Sequence, residues 1–173
     1  ALFVLDLDSE LLFVGDAGAT EASDASRRVG FEWENYYEPV DWLALDLDVT
    51  MTRARFRGVN NGDRIPNAVE GTVAAGITVK SEDGLYGSLR MRHVGTRPLV
   101  EDNAVRSRVL TLFNLRAGYR FTENSALSID VLNLFDEEDN DIEYFYTSRL
   151  AGEPAAGVDD VHLHPVQPLA IRL

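Results

Sequence analysis

The chain has 173 residues, with 16 Lys and Arg against 29 Asp and Glu, a net charge of −13 and a sequence pI near 4.5. That balance excludes a general nucleic-acid binder, which presents a basic face to phosphates. The absence of cysteine excludes disulfide scaffolds, cysteine-rich zinc modules and thiol catalysis.

With 45% hydrophobic residues the chain has the means to fold, yet no uncharged run approaches the roughly 18 residues of a membrane helix. It opens at Ala1 without a targeting segment, as expected of a mature or excised piece.

The dominant pattern is a two-residue alternation, the period of a strand rather than a helix. Leu5, Leu7, Leu11 and Phe13 alternate with Asp6, Asp8 and Glu10, which predicts a first strand. A loop rich in Ala, Ser, Asp and Gly follows from Gly15 to Ser26. Val29, Phe31, Trp33 and Tyr37 then alternate with Arg28, Gly30, Glu32, Glu34 and Tyr36. The turn Glu38-Pro39-Val40-Asp41 leads into a third strand, where Leu43, Leu45, Leu47, Val49 and Met51 alternate with small or acidic residues.

Val69 to Val79 and Leu85 to His93 predict a hairpin closed by Ser81-Glu82-Asp83-Gly84, with Asp-Gly the strongest short turn signal. Thr111 to Phe121 and Leu127 to Leu132 flank the short turn Thr122-Glu123-Asn124. Leu169, Ile171 and Leu173 mark a last strand.

Eight strands of mostly 9–11 residues match the length that crosses a bilayer at a tilt. The connections alternate in length: three to five residues after the second, fourth and sixth strands, about 11 or more after the others. Short turns at one end and long loops at the other is the plan of an outer-membrane barrel.

The polar face collects Asp6, Asp8, Glu10, Arg28, Glu32, Glu34, Asp46, Asp48, Arg90, Arg92, Arg116, Asp130 and Arg172. Two readings of it stand: the solvated face of a soluble sheet, or the polar lumen of a wide barrel whose outside meets lipid. Trp33, Tyr37 and Trp42 near one short turn, with Tyr119 and Phe121 near another, suit an interfacial girdle.

Three motifs add a family resemblance. Ser26-Arg27-Arg28-Val29-Gly30-Phe31-Glu32 enters a strand, Arg64-Ile65-Pro66-Asn67-Ala68 closes a loop, and Val131-Leu132-Asn133-Leu134-Phe135-Asp136 ends a strand. In this order and spacing they resemble the C-terminal barrel region of TonB-dependent outer-membrane receptors, over nearly the whole chain. The resemblance implies an all-β fold: an antiparallel, up-and-down transmembrane β-barrel segment of about eight strands, taken from a barrel of 22 with a plugged lumen.

It also implies that residues 1–173 are one C-terminal barrel segment, with the plug, the earlier strands and the TonB-contacting segment lying elsewhere. Family members usually finish on an aromatic residue, whereas this chain stops at Leu173, as a truncated piece would.

The implied function is uptake of a scarce small-molecule ligand, such as an iron chelate, cobalamin or a carbohydrate, at the outer membrane of a Gram-negative bacterium. The partners are then that ligand, the TonB complex and outer-membrane lipid, with no nucleic acid. No cofactor is expected. The alternatives are a complete eight-strand structural barrel and a soluble β-barrel that binds a ligand.

For the site, Arg90, Arg92 and Arg116 are candidates to face an anionic ligand or the plug from the barrel wall, against the plainer reading of pairing with lumen acids. Tyr144 and Tyr146, with Phe145, sit in the longest loop as a ligand grip, against packing of that loop on itself. Asp159, Asp160, His162 and His164 are weak candidates for a metal, their plainer reading being solvated loop residues. The acidic run from Asp136 to Glu143 lacks the mid-loop glycine of an EF-hand.

Phosphate-cradling, nucleophile-elbow and zinc-protease motifs are all missing from the sequence, so the expectation is a protein that is not an enzyme.

Overall fold

The computed structural model describes residues 1–14 and 19–173, and residues 15–18 of the predicted first loop lie outside them. The strands in chain order are β1 (Leu2–Leu7), β2 (Leu11–Val14), β3 (Ala19–Ala22), β4 (Ser26–Val40), β5 (Leu43–Phe56) and β6 (Gly71–Lys80). Then come β7 (Leu85–Val94), β8 (Leu110–Thr122), β9 (Ser125–Leu132), β10 (Asn140–Ser148), β11 (Val158–Pro165) and β12 (Ala170–Arg172).

Eight of these form one antiparallel sheet in the order β1-β4-β5-β6-β7-β8-β9-β12. Neighbours in the sheet are neighbours in sequence once the small hairpins β2–β3 and β10–β11 are set aside, which is an up-and-down meander. The sheet does not close: β1 and β12 are its two edges among the described residues.

Register separates the two faces because directly paired residues in adjacent strands point the same way. Tyr37, Leu45, Ile77, Leu89 and Leu115 belong to the apolar face, and so do Val131 and Ile171. The polar face carries Tyr36, Asp46, Gly76, Arg90 and Asn114 in one rung and Ser88, Arg116, Asp130 and Arg172 in another. The alternation read from the sequence therefore holds from β4 onward.

It does not hold in β1. Leu5 pairs with Arg28 and Asp6 with Arg27, so Leu5 and Leu7 share the polar face while Asp6 lies on the other. Asp6 makes a two-pronged salt bridge with Arg27, at 2.8 and 3.1 Å. The reason is compositional: Leu2-Phe3-Val4-Leu5 has no alternation of its own, so pairing with β4 decides the facing. The predicted first strand also breaks at residues 8–10, and Leu11 and Phe13 belong to the separate hairpin β2–β3.

The small core sits at the long-loop end, not beneath the sheet. Ala54, Phe56 and Ile65 are buried there, with Leu12, Val59 and Ala68 packed around them. Over the rest of the apolar face, more than a dozen large side chains stay at least a third exposed, among them Trp33, Met51, Ile77, Leu85 and Ile171. Leaving half of such a side chain in water forgoes roughly 1 kcal/mol. The sum is on the order of 10 kcal/mol, comparable to the whole stability of a domain. Among the described residues nothing packs over that face.

Two polar-face glycines accept aromatic rings. The Phe3 ring lies over Gly30 and the Tyr86 ring over Gly118, each within 2.5 Å of where a Cβ would stand. Both contacts flatten bulky side chains against the sheet and pin neighbouring strands in register.

Candidate functional site: the polar face and the loop-end cleft

Three arginines predicted for the polar face are there, and each meets an acid. Arg90 donates to Asp46 at 3.0 Å, Arg92 to Asp141 at 2.6 Å, and Arg116 to Asp130 at 2.6 and 2.9 Å. The Arg116–Asp130 pair is a planar fork, the geometry that best fits guanidinium to carboxylate. All three arginine side chains remain more than half exposed, so their charge is oriented by the acid yet accessible from the polar side.

Asp141 is not on the sheet but in β10, so the Arg92 pair ties the β10–β11 hairpin back to the wall. The sequence reads this segment as loop, yet it pairs from Asn140 with Pro165 to Ser148 with Val158. The signal for it was present in the β-favouring run Ile142 to Tyr146, masked by the acids around it. Glu143, almost fully buried, fixes its base by accepting from the Arg108 backbone N–H at 2.8 Å and from Asn140 Nδ2 at 2.7 Å.

Two of the three family-like motifs act as loop clamps. Ile65 is 1% exposed in the loop core, Asn67 adopts a positive φ of 62°, and its N–H donates to the Pro98 carbonyl at 2.8 Å. The Asn67 side chain accepts from Arg97 Nε at 3.1 Å, joining the 57–70 and 95–109 loops.

Glu70 makes a second junction, accepting from Arg64 at 3.1 Å and from Arg106 by a short contact, with Arg55 at 3.8 Å. Burial alone raises its pKa, but the hydrogen bonds and charges of Arg106 and Arg64 outweigh that and hold it below the ordinary glutamate value. No motif in the sequence marks Glu70 as a junction: Arg64 is near in the chain, but Arg106 comes from 36 residues away.

At the other motif, Asn133 is 3% exposed with φ 50°. Its side chain donates to the carbonyls of Glu137 and Gln167 and accepts from the Glu137 N–H, all near 3 Å. Asp136, φ 52°, accepts from the Leu169 N–H at 2.9 Å, so the motif holds β12 in place beside β9. After glycine, Asn and Asp take this left-handed conformation most readily.

These clamps shape a cleft of about 1040 Å³ at the long-loop end. The β2–β3 hairpin, the 57–70 and 95–109 loops and β10 wall it. Tyr144 and Tyr146 both line it, together with Phe13, whose ring lies 5.1 Å from that of Tyr144. The Tyr146 ring stacks flat on His162, at 3.7 Å and 11°.

The predicted metal cluster does not converge. Register sends Asp160, His162 and His164 to one side of β11 and Asp159 to the other, where it accepts from Thr147. Among the described residues no three His, Asp or Glu side chains come close enough to hold a metal ion.

This architecture recurs in solved structures. The ferric-catecholate import receptor Fiu from E. coli K12 superposes over 98% of the chain with a TM-score of 0.69 at 19% identity. The siderophore receptor PiuA from Acinetobacter baumannii superposes over 98% with a TM-score of 0.72 at 14% identity. The copper transporter OprC matches over 80%, with a TM-score of 0.63 at 21% identity.

The chain spans 23%, 24% and 22% of those proteins, so the likeness is to part of each. No protein-family model and no curated protein sequence matches the chain. In fold, the chain is an open antiparallel sheet with its connecting loops, like part of the barrel of these receptors. The structures it resembles are import receptors and transporters, not enzymes.

Proposed function

We propose that the chain forms part of the wall and the external loops of a TonB-dependent import receptor in the outer membrane of a Gram-negative bacterium. The apolar face meets lipid, the polar face lines the lumen, and the loop-end cleft takes part in capturing a scarce small molecule. An iron chelate, cobalamin or a carbohydrate fits the class, with energy supplied by a TonB complex acting through regions beyond these residues. Arg90, Arg92 and Arg116 then line the lumen, and Tyr144 and Tyr146 grip the ligand.

One observation carries this reading: the sheet leaves its whole apolar face uncovered while loops at the end away from the tight turns organise a cleft. Strands of 10 residues such as β6 and β7 rise about 33 Å, or about 23 Å at a tilt near 45°, close to the roughly 25 Å apolar band of an outer-membrane barrel.

Cell fractionation of the parent polypeptide tests the location, and uptake of labelled iron chelates by cells with and without the β10–β11 hairpin tests the role. Outer-membrane recovery with uptake lost in the deletion is expected. A parent that stays soluble without detergent overturns the proposal.

A further inference from the structure

We propose that the loop-end cleft selects a positively charged ligand with a planar or alkylated face, a cationic organic molecule or a chelate of net positive charge. The inference rests on the cleft being the ligand site and names the charge class it takes.

The walls combine two features that arise from different elements. Phe13 from β2 and Tyr144 and Tyr146 from β10 present aromatic surface, and the His162 stack keeps the Tyr146 ring from turning edge-on. Aromatic faces carry negative potential and attract cations placed over them.

Glu21, Asp24, Glu101 and Asp102 stand around the same space, while among the described residues no Lys, Arg or His lines it. On the wall and in the neighbouring loops, Asp46, Glu70, Asp130 and Asp141 each hold an arginine. The four cleft acids form no salt bridge among the described residues, so nothing there neutralises their charge. A concave surface of one sign concentrates counter-charged solutes and repels like-charged ones. At about 1040 Å³ the cleft lies at the upper end of small-molecule sites, which leaves room for a ligand of chelate size.

The test uses two probes with the same three-ring frame and opposite charge, N-methylacridinium and anthracene carboxylate, titrated by fluorescence against the full chain in detergent micelles at low salt. The cation is expected to bind at least about tenfold more tightly, with the margin shrinking as salt rises. In the variant E21Q/D24N/E101Q/D102N the preference should disappear, and Y146A should weaken cation binding without reversing it.

Equal or tighter binding of the anion overturns the charge assignment while leaving the cleft as a ligand site. Failure of both probes to bind overturns the cleft reading as well. Should the fourfold variant not fold, the salt dependence of the unmodified chain decides: a cation affinity indifferent to salt overturns the proposal.

Discussion

Asp46 and Arg90 lie in one rung of the sheet two strands apart, and the Asp46 carboxylate reaches the guanidinium at 3.0 Å by crossing bare backbone at Gly76. A Cβ on Gly76 would stand 2.5 Å from Asp46 Oδ1. Glycine is needed here for passage rather than for an unusual φ.

Gly76→Ala is therefore expected to push the Asp46 side chain aside and free Arg90, at a cost of about 1 kcal/mol, since the arginine end of the pair is well exposed. Combining it with Asp46→Ala removes the group in conflict, so the double variant should be no less stable than Asp46→Ala alone. Urea unfolding in micelles across the four proteins measures that coupling, and strict additivity would show that Asp46 and the new methyl do not compete.

Asn133 carries a larger load. Asn133→Ala removes three side-chain hydrogen bonds at a buried site and places alanine at φ 50°, for an expected loss of about 2–4 kcal/mol. Asn133→Gly restores the backbone freedom but not the hydrogen bonds, and should fall between the two. Amide exchange locates the damage: protection should drop first in β12 and the end of β9, which the Asn133–Gln167 bond holds together.

How much of this the sequence makes legible follows from the range of the forces involved. From β4 to β9 the period-two pattern was strong enough to place Leu45, Ile77 and Leu89 on one face and Asp46, Arg90 and Arg116 on the other, because alternation is a local property of the chain. In β1 the run Leu2-Phe3-Val4-Leu5 carries no alternation, so only the partner strand could decide, and the sequence reading placed Asp6 on the wrong face. The β10–β11 hairpin was hidden because its acids resemble a solvated loop, although Glu143 is buried and Asp141 pairs with Arg92. Tyr144 and Tyr146 stand in the sequence as aromatics beside the acids of the longest loop, and the structure puts both on the cleft wall. Phe13, Glu21, Asp24, Glu101 and Asp102 were not recognised as cleft residues, since they meet only when three loops fold together.

Glu70 gives the loop end a pH dependence of definite sign. Its folded pKa is lowered by Arg106 and Arg64, so its stabilising contribution is complete above the unfolded value and is lost as pH falls through the folded one. Between neutral pH and roughly pH 5 the loops should hold, and from about pH 4 downward they should loosen. Glu70→Gln leaves Arg64 and Arg106 without their anion, costing about 1 kcal/mol at pH 7, and should remove this part of the acid sensitivity. Proteolysis of the 57–70 and 95–109 loops against pH compares the two proteins. An unchanged acid midpoint in Glu70→Gln would place the sensitivity elsewhere.

The two faces can be told apart at a single point in β6. Ala75 pairs with Leu47 and Met91 on the apolar side, while its neighbour Ala74 pairs with Asp48 and Arg92 on the polar side. Both lie near the middle of the strand and differ in little except which way they point. If the apolar face meets hydrocarbon, Ala75→Arg buries a guanidinium where nothing solvates it, at about 2–4 kcal/mol near the bilayer midplane. Ala74→Arg adds the same group to a face that already holds Asp48 beside it, and should change stability by less than about 1 kcal/mol. Urea titration of the full chain folded into lipid vesicles gives both values under one set of conditions. Equal penalties at Ala74 and Ala75 would mean that neither face meets lipid, and a reversed order would exchange lumen and membrane sides of the sheet.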